Sequence, residues 1–325
     1  MATKFKNWMP AGVIPAALLP FDADFAIDVR AFKQHLNDLV AVEGISAITT
    51  NAHSTEVHAC SEDEQRRVLA HTLDVVGDRL PVIFGIYADG SHIAAGLARM
   101  AASNGASALL VFPSQVLGMG GHLRPEMVIA HFKTIADATD LPLIAFEYAL
   151  AGPVGYSLET LLKLVDAVPT VKAIKDWCND PMQHECHVRV LQSRSPRINV
   201  LTTHSAWLMS SLTMGCAGLL SGAGSVIAHL QVELFQAIQH NDLVRARAVN
   251  DRIYPLAQAF YAPPFLDMHN RMKETLVLLG RLPRAVVRPP LLKLSNVEID
   301  RLRTALEQSG LFQDYGALHK VQAAE

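Results

Sequence analysis

Short apolar runs separated by longer amphipathic ones recur about eight times along this chain, and that alternation leaves few folds open. The runs at 13–18, 45–50, 81–86, 108–112, 142–147, 172–175, 199–203 and 218–221 are mostly rich in Val, Ile, Leu and Ala without polar alternation. Strands covered on both faces have that composition. Between them lie segments of helical period, among them 30–42, 62–76, 92–103 and 159–168. Ser61, with Glu64 three residues on, has the capping-box pattern; Asp28 and Ser157 stand where N-caps belong, and "GDRLP" at 77–81 reads as a helix stop leading into a strand. Eight such units before residue 240 take roughly 27 residues each, the economy of a (β/α)8 barrel. An open doubly wound sheet competes, but the turn after the first strand is Leu19-Pro20-Phe21-Asp22 and not a glycine-rich phosphate turn. The expected fold class is α/β, a (β/α)8 TIM barrel over residues 1–240. A C-terminal helical extension follows over 241–312, with helical patterns at 242–260, 265–279 and 295–308, and then a tail over 313–325.

Composition narrows the function classes. Lys and Arg number 28 against 31 Asp and Glu, a net charge of −3 with no long basic run, so neither nucleic acid nor an anionic membrane is an expected partner. No apolar run reaches the ~18 residues of a membrane span, and the start lacks the apolar core of a signal peptide. The four cysteines, Cys60, Cys178, Cys186 and Cys216, contain no CxxC pair and fit free thiols in a reducing cytosol; the expected location is cytoplasmic. The motifs GxxxxGK[ST] and GxGxxG are both missing, which argues against a nucleotide. Among 14 histidines, His53 and His58 fall in a loop, while His184 and His187 flank a Cys without an acidic partner at ligand spacing. No HExxH is present, so neither metal nor cofactor is expected, and most histidines read as surface or capping residues.

In a barrel, chemistry gathers at the C-terminal ends of the strands. Those ends carry His53-Ser54-Thr55-Glu56 after strand two, Ser114-Gln115 after strand four, Phe146-Glu147-Tyr148 at strand five, Lys175-Asp176 at strand six, His204-Ser205 after strand seven and Ser221-Gly222-Ala223-Gly224-Ser225 after strand eight. Lys175 closes the apolar strand Ala173-Ile174-Lys175. Desolvation at a barrel mouth lowers an amine's pKa and readies it to attack a carbonyl. The plain alternative is a lysine snorkelling to solvent or pairing with Asp176. The hydroxyls and turn amides of 52–56 suit a carboxylate or form an ordinary polar turn, and the small-residue loop 221–225 is a weak anion-site signal.

Three segments together resemble a known family. "AHSTEVHACSEDEQ" is similar to a G-[ST]-T-G-E loop followed by an S-x-x-E helix start, "VKAIKD" to a strand bearing a Schiff-base lysine, and "MGCAGLLSGAGSV" to a strand-eight G-[AC]-x-G-x-[IL]-S segment. These resemble the dihydrodipicolinate synthase / N-acetylneuraminate lyase family of class I, Schiff-base-forming barrel enzymes, over nearly the whole chain, from Pro20-Phe21-Asp22 to Arg288-Pro289-Pro290-Leu291. The resemblance implies that Lys175 forms the imine and that Ser54, Thr55 and their amides hold the carboxylate of a 2-oxo acid. It also implies that Phe146, Leu220 and Gly222 border the substrate, and that the protein is a homotetramer built as a dimer of dimers. The departures matter equally. The family's strand-five Tyr aligns with Phe146, the loop's first Thr with His53, and the strand-four interface Tyr with Gln115. Phe146-Glu147-Tyr148-Ala149-Leu150-Ala151-Gly152-Pro153 replaces Y-N-x-P-x-R-T-G, so the arginine for a second carboxylate is missing.

The expected activity is therefore a Schiff-base lyase, aldolase or dehydratase, acting on pyruvate or a 2-oxo-3-deoxy acid, and not the lysine-pathway synthase. Proton transfer has to come from Tyr148, on the Phe146 face if the strand continues, or from His53, with Glu147 also a candidate. A catalytically silent 2-oxo-acid or sugar-acid binding protein is the alternative from another class, and a metal-dependent aldolase the third.

Overall fold

The computed structural model describes residue 5 and residues 8–313; the expected tail beyond 313 lies outside the described residues. Eight parallel strands run β1 (Gly12–Pro15), β2 (Ile48–Thr50), β3 (Val82–Ile86), β4 (Ala108–Val111), β5 (Leu143–Tyr148), β6 (Val171–Trp177), β7 (Asn199–Thr202) and β8 (Gly218–Ser221). The helices α1 (Val29–Val40), α2 (Glu62–Val76), α3 (Ser91–Ser103), α4 (Pro125–Ala136), α5 (Leu158–Ala167), α6 (Pro181–Gln192), α7 (Leu208–Thr213) and α8 (Gly224–Gln239) each follow one strand. Then α9 (Leu243–Phe260), α10 (Met268–Leu278) and α11 (Asn296–Ser309) succeed one another without strands.

The sheet order is β1-β8-β7-β6-β5-β4-β3-β2, and Ala17 N–H donates to Thr49 O at 2.9 Å where β1 meets the β2 segment. The ring of strands closes as a TIM barrel. At the β1–β8 seam Gly12 pairs Gly218, and a Cβ on Gly218 would lie 2.2 Å from Gly12 O, so the backbones meet there only without a side chain.

Local signals act where they stand in the sequence. Ser61 Oγ accepts from Glu64 N at 3.2 Å while Glu64 Oε2 accepts from Ser61 N at 2.9 Å, and α2 starts there. Asp28 and Ser157 cap α1 and α5 by the one-way bond alone, their side-chain oxygens accepting from Ala31 N at 3.0 Å and Thr160 N at 3.1 Å. One boundary matters for function: β6 extends to Trp177, past the expected end at Lys175, and β5 extends to Tyr148.

Side chains alternate between two cores. Ile14, Leu110, Ile144, Ala173, Leu201 and Leu220 fill the barrel, whereas Val13, Leu109, Ala145, Ile174, Val200 and Leu219 face the helices. Because Ala173 points in and Ile174 out, Lys175 points in and Asp176 out. By the same alternation Phe146 and Tyr148 face the barrel mouth and Glu147 faces the helix layer. Among the described residues no helix is long and apolar enough to cross a membrane.

Candidate active site

Lys175 pairs in register with Phe146, and its Nζ sits 3.9 Å from the centroid of that ring. The side chain is buried, and desolvation lowers its pKa from 10.5 to about 7. The plain alternatives for this lysine do not hold: it does not reach solvent, and Asp176 is turned to the opposite face of the strand.

Beside it, Tyr148 Oη lies 2.9 Å from His53 Nε2. His53 is presented by a 3-10 turn, His53–Thr55, and stacks on Phe112 with ring centroids 4.8 Å apart. Burial, then the charges of Lys175 and His58, lowers the His53 pKa to about 3, so the ring is neutral. Burial raises the Tyr148 pKa, with Tyr87 adding to it. The bond works in both directions: Tyr148 donates to Nε2 in one imidazole tautomer and accepts from it in the other.

Glu147 is a correction. It lies on the far face of β5, fully buried, where its carboxylate accepts from Tyr156 N at 3.0 Å. Burial, then the charge of Asp176, pushes its pKa well above the usual carboxylate range. The strand itself keeps it from the mouth.

The turn at 52–56 divides its two hydroxyls. Ser54 Oγ is buried and makes no hydrogen bond among the described residues, leaving it open to a ligand's carboxylate. Thr55 departs from expectation: its Oγ1 accepts from Ala52 N at 2.6 Å and donates to Ala52 O at 2.8 Å, while its own N–H donates to Ala52 O at 3.1 Å. Both its polar groups are used in closing the turn, so its part is to hold the loop. Glu56, in the left-handed region at φ 50°, accepts from buried Lys273 on α10 and from Arg288 N. That buried ion pair ties the loop to the C-terminal helices.

Leu220 lies inside the barrel with Phe146 and Phe112. Gly222 faces His269 of α10, whose Nε2 would be 2.9 Å from a Cβ at that position. Burial, then His53 and Lys175, lowers the His269 pKa well below its usual value. Sequence reasoning missed His269 because it follows the last strand by almost fifty residues and carries no motif. The 221–225 loop uses its hydroxyls internally: Ser221 Oγ bonds Ser205 Oγ at 2.9 Å, and Ser225 Oγ donates to Ala16 O at 2.6 Å. Gln115 is exposed at the start of a 3-10 turn, its N–H donating to Asp89 Oδ1 at 2.7 Å.

Behind the lysine strand, His184 and His187 are fully buried rather than surface residues, and both bond Asp176 Oδ2 through Nδ1, at 2.8 and 2.9 Å. Their acidic partner comes from β6, which sequence spacing along α6 could not reveal. Asp176, Cys178, His184 and His204 place one donor atom each within 4.8 Å of one another, a set chemically suited to a metal. In this structure those donors bond one another and the backbone: His204 Nε2 accepts from Asn179 N at 3.0 Å.

The sequence model of the dihydrodipicolinate synthetase family matches residues 9–309. A 4-hydroxy-tetrahydrodipicolinate synthase of Sphingopyxis alaskensis is 31% identical over 78% of this chain and 84% of its own. An uncharacterized DapA-like lyase of Halobacterium salinarum is 28% identical over 92% and 94%. Among solved structures, a monomeric dihydrodipicolinate synthase variant superposes with a TM-score of 0.85 at 24% identity, covering 96% of this chain and 100% of that one. A prophage protein of E. coli from the dihydrodipicolinic acid synthase family, solved with pyruvate, gives a TM-score of 0.84 at 22% identity over 93% and 99%.

Proposed function

The chain belongs to the dihydrodipicolinate synthetase family, and from that premise we propose that it is a Schiff-base-forming lyase. It acts as an aldolase or dehydratase on pyruvate or a 2-oxo-3-deoxy acid, and it is not the lysine-pathway synthase. The observation that carries this reading is Lys175, a buried, inward-facing amine with a pKa of about 7. At neutral pH a substantial fraction of it is the free nucleophile. That amine attacks the C2 ketone, the carbinolamine loses water, and the protonated imine withdraws electrons from C3. In the aldolase direction the C4 hydroxyl gives up its proton, the C3–C4 bond breaks, an aldehyde leaves, and the enamine takes a proton at C3. In the dehydratase direction a C3 proton is removed and the C4 hydroxyl departs as water. Hydrolysis then frees Lys175.

Tyr148 and His53 serve the proton steps. The tyrosine oxygen takes a proton from the substrate as its own passes to His53 Nε2, and the reverse returns it. The unpartnered Ser54 hydroxyl meets the carboxylate, with Leu220 of β8 inside the barrel and Gly222 just beyond it. The segment after Phe146 has no arginine for a second carboxylate, and Phe146 stands where a proton-relay tyrosine would be; both argue against lysine biosynthesis. The same Phe146 favours the second reading, a silent 2-oxo-acid binding protein. The exposed apolar side chains Val116, Met119, Leu123 and Leu150 around the β4 and β5 loops support self-association, and we assign the chain a homotetramer, a dimer of dimers.

The test is borohydride reduction in the presence of pyruvate, with the adduct mapped by mass spectrometry. An adduct on Lys175 is expected; one on Lys172, or none with any 2-oxo acid, overturns the mechanism. An adduct without turnover of any 2-oxo-3-deoxy acid gives the case to the silent binder. Condensation of pyruvate with aspartate semialdehyde at ~10 per second would restore the lysine pathway.

A further inference from the structure

Above Lys175 the barrel mouth is walled by rings in continuous contact. Phe112 and Phe146 lie at the bottom, buried, with centroids 5.2 Å apart. Tyr148 follows at 4.6 Å from Phe146, Trp177 at 5.4 Å from Tyr148, and Phe265, 41% exposed, at 5.8 Å from Trp177. His53 stacks on Phe112 and lies edge-on to Phe146 at 6.2 Å, against the lower part of this row. The series therefore climbs from the reactive amine to solvent, and its outermost member comes from the segment just before α10.

Charge is distributed against a second anion. The wall of rings contains neither lysine nor arginine, and the other buried lysine near the mouth, Lys273, is engaged with Glu56. Lys175 is itself consumed in the imine. A carboxylate at the far end of a substrate would lose water against these rings and meet no cation, whereas a flat uncharged group would gain stacking contacts beyond the area it buries.

We propose that the mouth binds the distal half of the substrate as an aryl group, so that the 2-oxo-3-deoxy acid is a 4-aryl-4-hydroxy-2-oxobutanoate. This rests on the Schiff-base reading of Lys175. Cleavage of its C3–C4 bond gives pyruvate and an aryl aldehyde, and loss of the C4 hydroxyl with a C3 proton gives water and the 4-aryl-2-oxobut-3-enoate. Either way no oxidant, reductant or co-reactant is needed.

The experiment compares consumption of 4-hydroxy-4-phenyl-2-oxobutanoate, 4-hydroxy-2-oxoglutarate, which carries a carboxylate in place of the phenyl, and a 2-oxo-3-deoxy sugar acid. Pyruvate trapping on Lys175 is measured in parallel. We expect kcat/KM for the phenyl compound to exceed both others at least tenfold, within the range an apolar pocket can discriminate. Trp177→Ala should cut that ratio about tenfold, and Phe265→Ala, a truncation of an exposed side chain that leaves the core intact, should cut it several-fold. Trapping with equal or reversed preference overturns the aryl assignment and leaves the lyase reading standing. Absence of trapping by any 2-oxo acid overturns both. A preference that survives both substitutions also sinks the proposal, because the selectivity would then lie outside these rings.

Discussion

Tyr148 Oη and His53 Nε2 stand 2.9 Å apart although 95 residues separate them in the chain. Each is held by ring contacts, His53 to Phe112 and Tyr148 to Phe146 and Trp177, so the pair is positioned from both sides. Both members are neutral at rest, because burial lowers the imidazole to about pKa 3 and raises the phenol.

Loss of either member should therefore slow proton transfer without preventing imine formation. Tyr148→Phe and His53→Ala are each expected to lower turnover by ~10²–10⁴ while pyruvate remains trappable on Lys175. The double variant should cost little more than either single one, since the two act as one unit. Turnover within a few-fold of the parent in both single variants would place the relay elsewhere.

The amine's titration sets a pH profile. Its pKa is lowered from 10.5 to about 7 by desolvation, so the charged form loses its proton as pH rises through 7. The rate of cyanoborohydride trapping with pyruvate should rise through about pH 7 and level off above it. An ordinary lysine, only about one part in a few thousand neutral at pH 7, would still be rising at pH 9. A profile still rising there would mean that Lys175 is solvated.

Ser54 offers a separation of binding from folding. Its hydroxyl is buried and bonded to nothing among the described residues, so Ser54→Ala should leave the melting temperature unchanged or slightly raised. The same change removes a hydrogen bond to a charged carboxylate, about 1.5–3 kcal/mol, and should weaken pyruvate about 10–100-fold in titrations. Thr55→Ala should behave in the opposite way, lowering stability because the turn loses its internal closure.

Behind β6, Asp176 governs stability. Burial disfavours its charge, but hydrogen bonds from His184 and His187 outweigh that and hold the carboxyl far below its usual range. Burial likewise works against a charged His184, yet the bonds to Asp176 and Cys216 raise it to about 9. The Asp176 contribution is complete above the unfolded value of 3.8 and lost as pH falls below it; the His184 contribution is complete below 6.5 and lost as pH rises through 9. Denaturant melts should show greatest stability between about pH 4 and 6.5, with a decline towards pH 9. Asp176→Asn should cost about 3–5 kcal/mol and flatten that alkaline decline. An unchanged slope would show that His184 is not charged in the folded protein.

Local rules carried the reading of the chain a long way. Capping at Ser61, Asp28 and Ser157, the eight apolar runs, and the inward place of Lys175 are all encoded within a few residues, by backbone hydrogen bonding and by the twofold alternation of a strand. Tyr148 was readable as a mouth residue for the same reason, two positions beyond Phe146. The alternation also ruled out Glu147, once β5 was seen to continue through it.

Other features depend on which distant segments the closed barrel brings together. His184 and His187 read as surface or capping histidines until Asp176, projecting outward from the neighbouring strand, meets them. Thr55 looks like a ligand until its turn closes on its own hydroxyl. Glu56 meets Lys273 across 217 residues, and His269 reaches Gly222 only because α10 folds back over the mouth. Desolvation and side-chain pairing at such contacts are properties of packed neighbours and leave no period or spacing along the chain, so they come into being only with the tertiary structure.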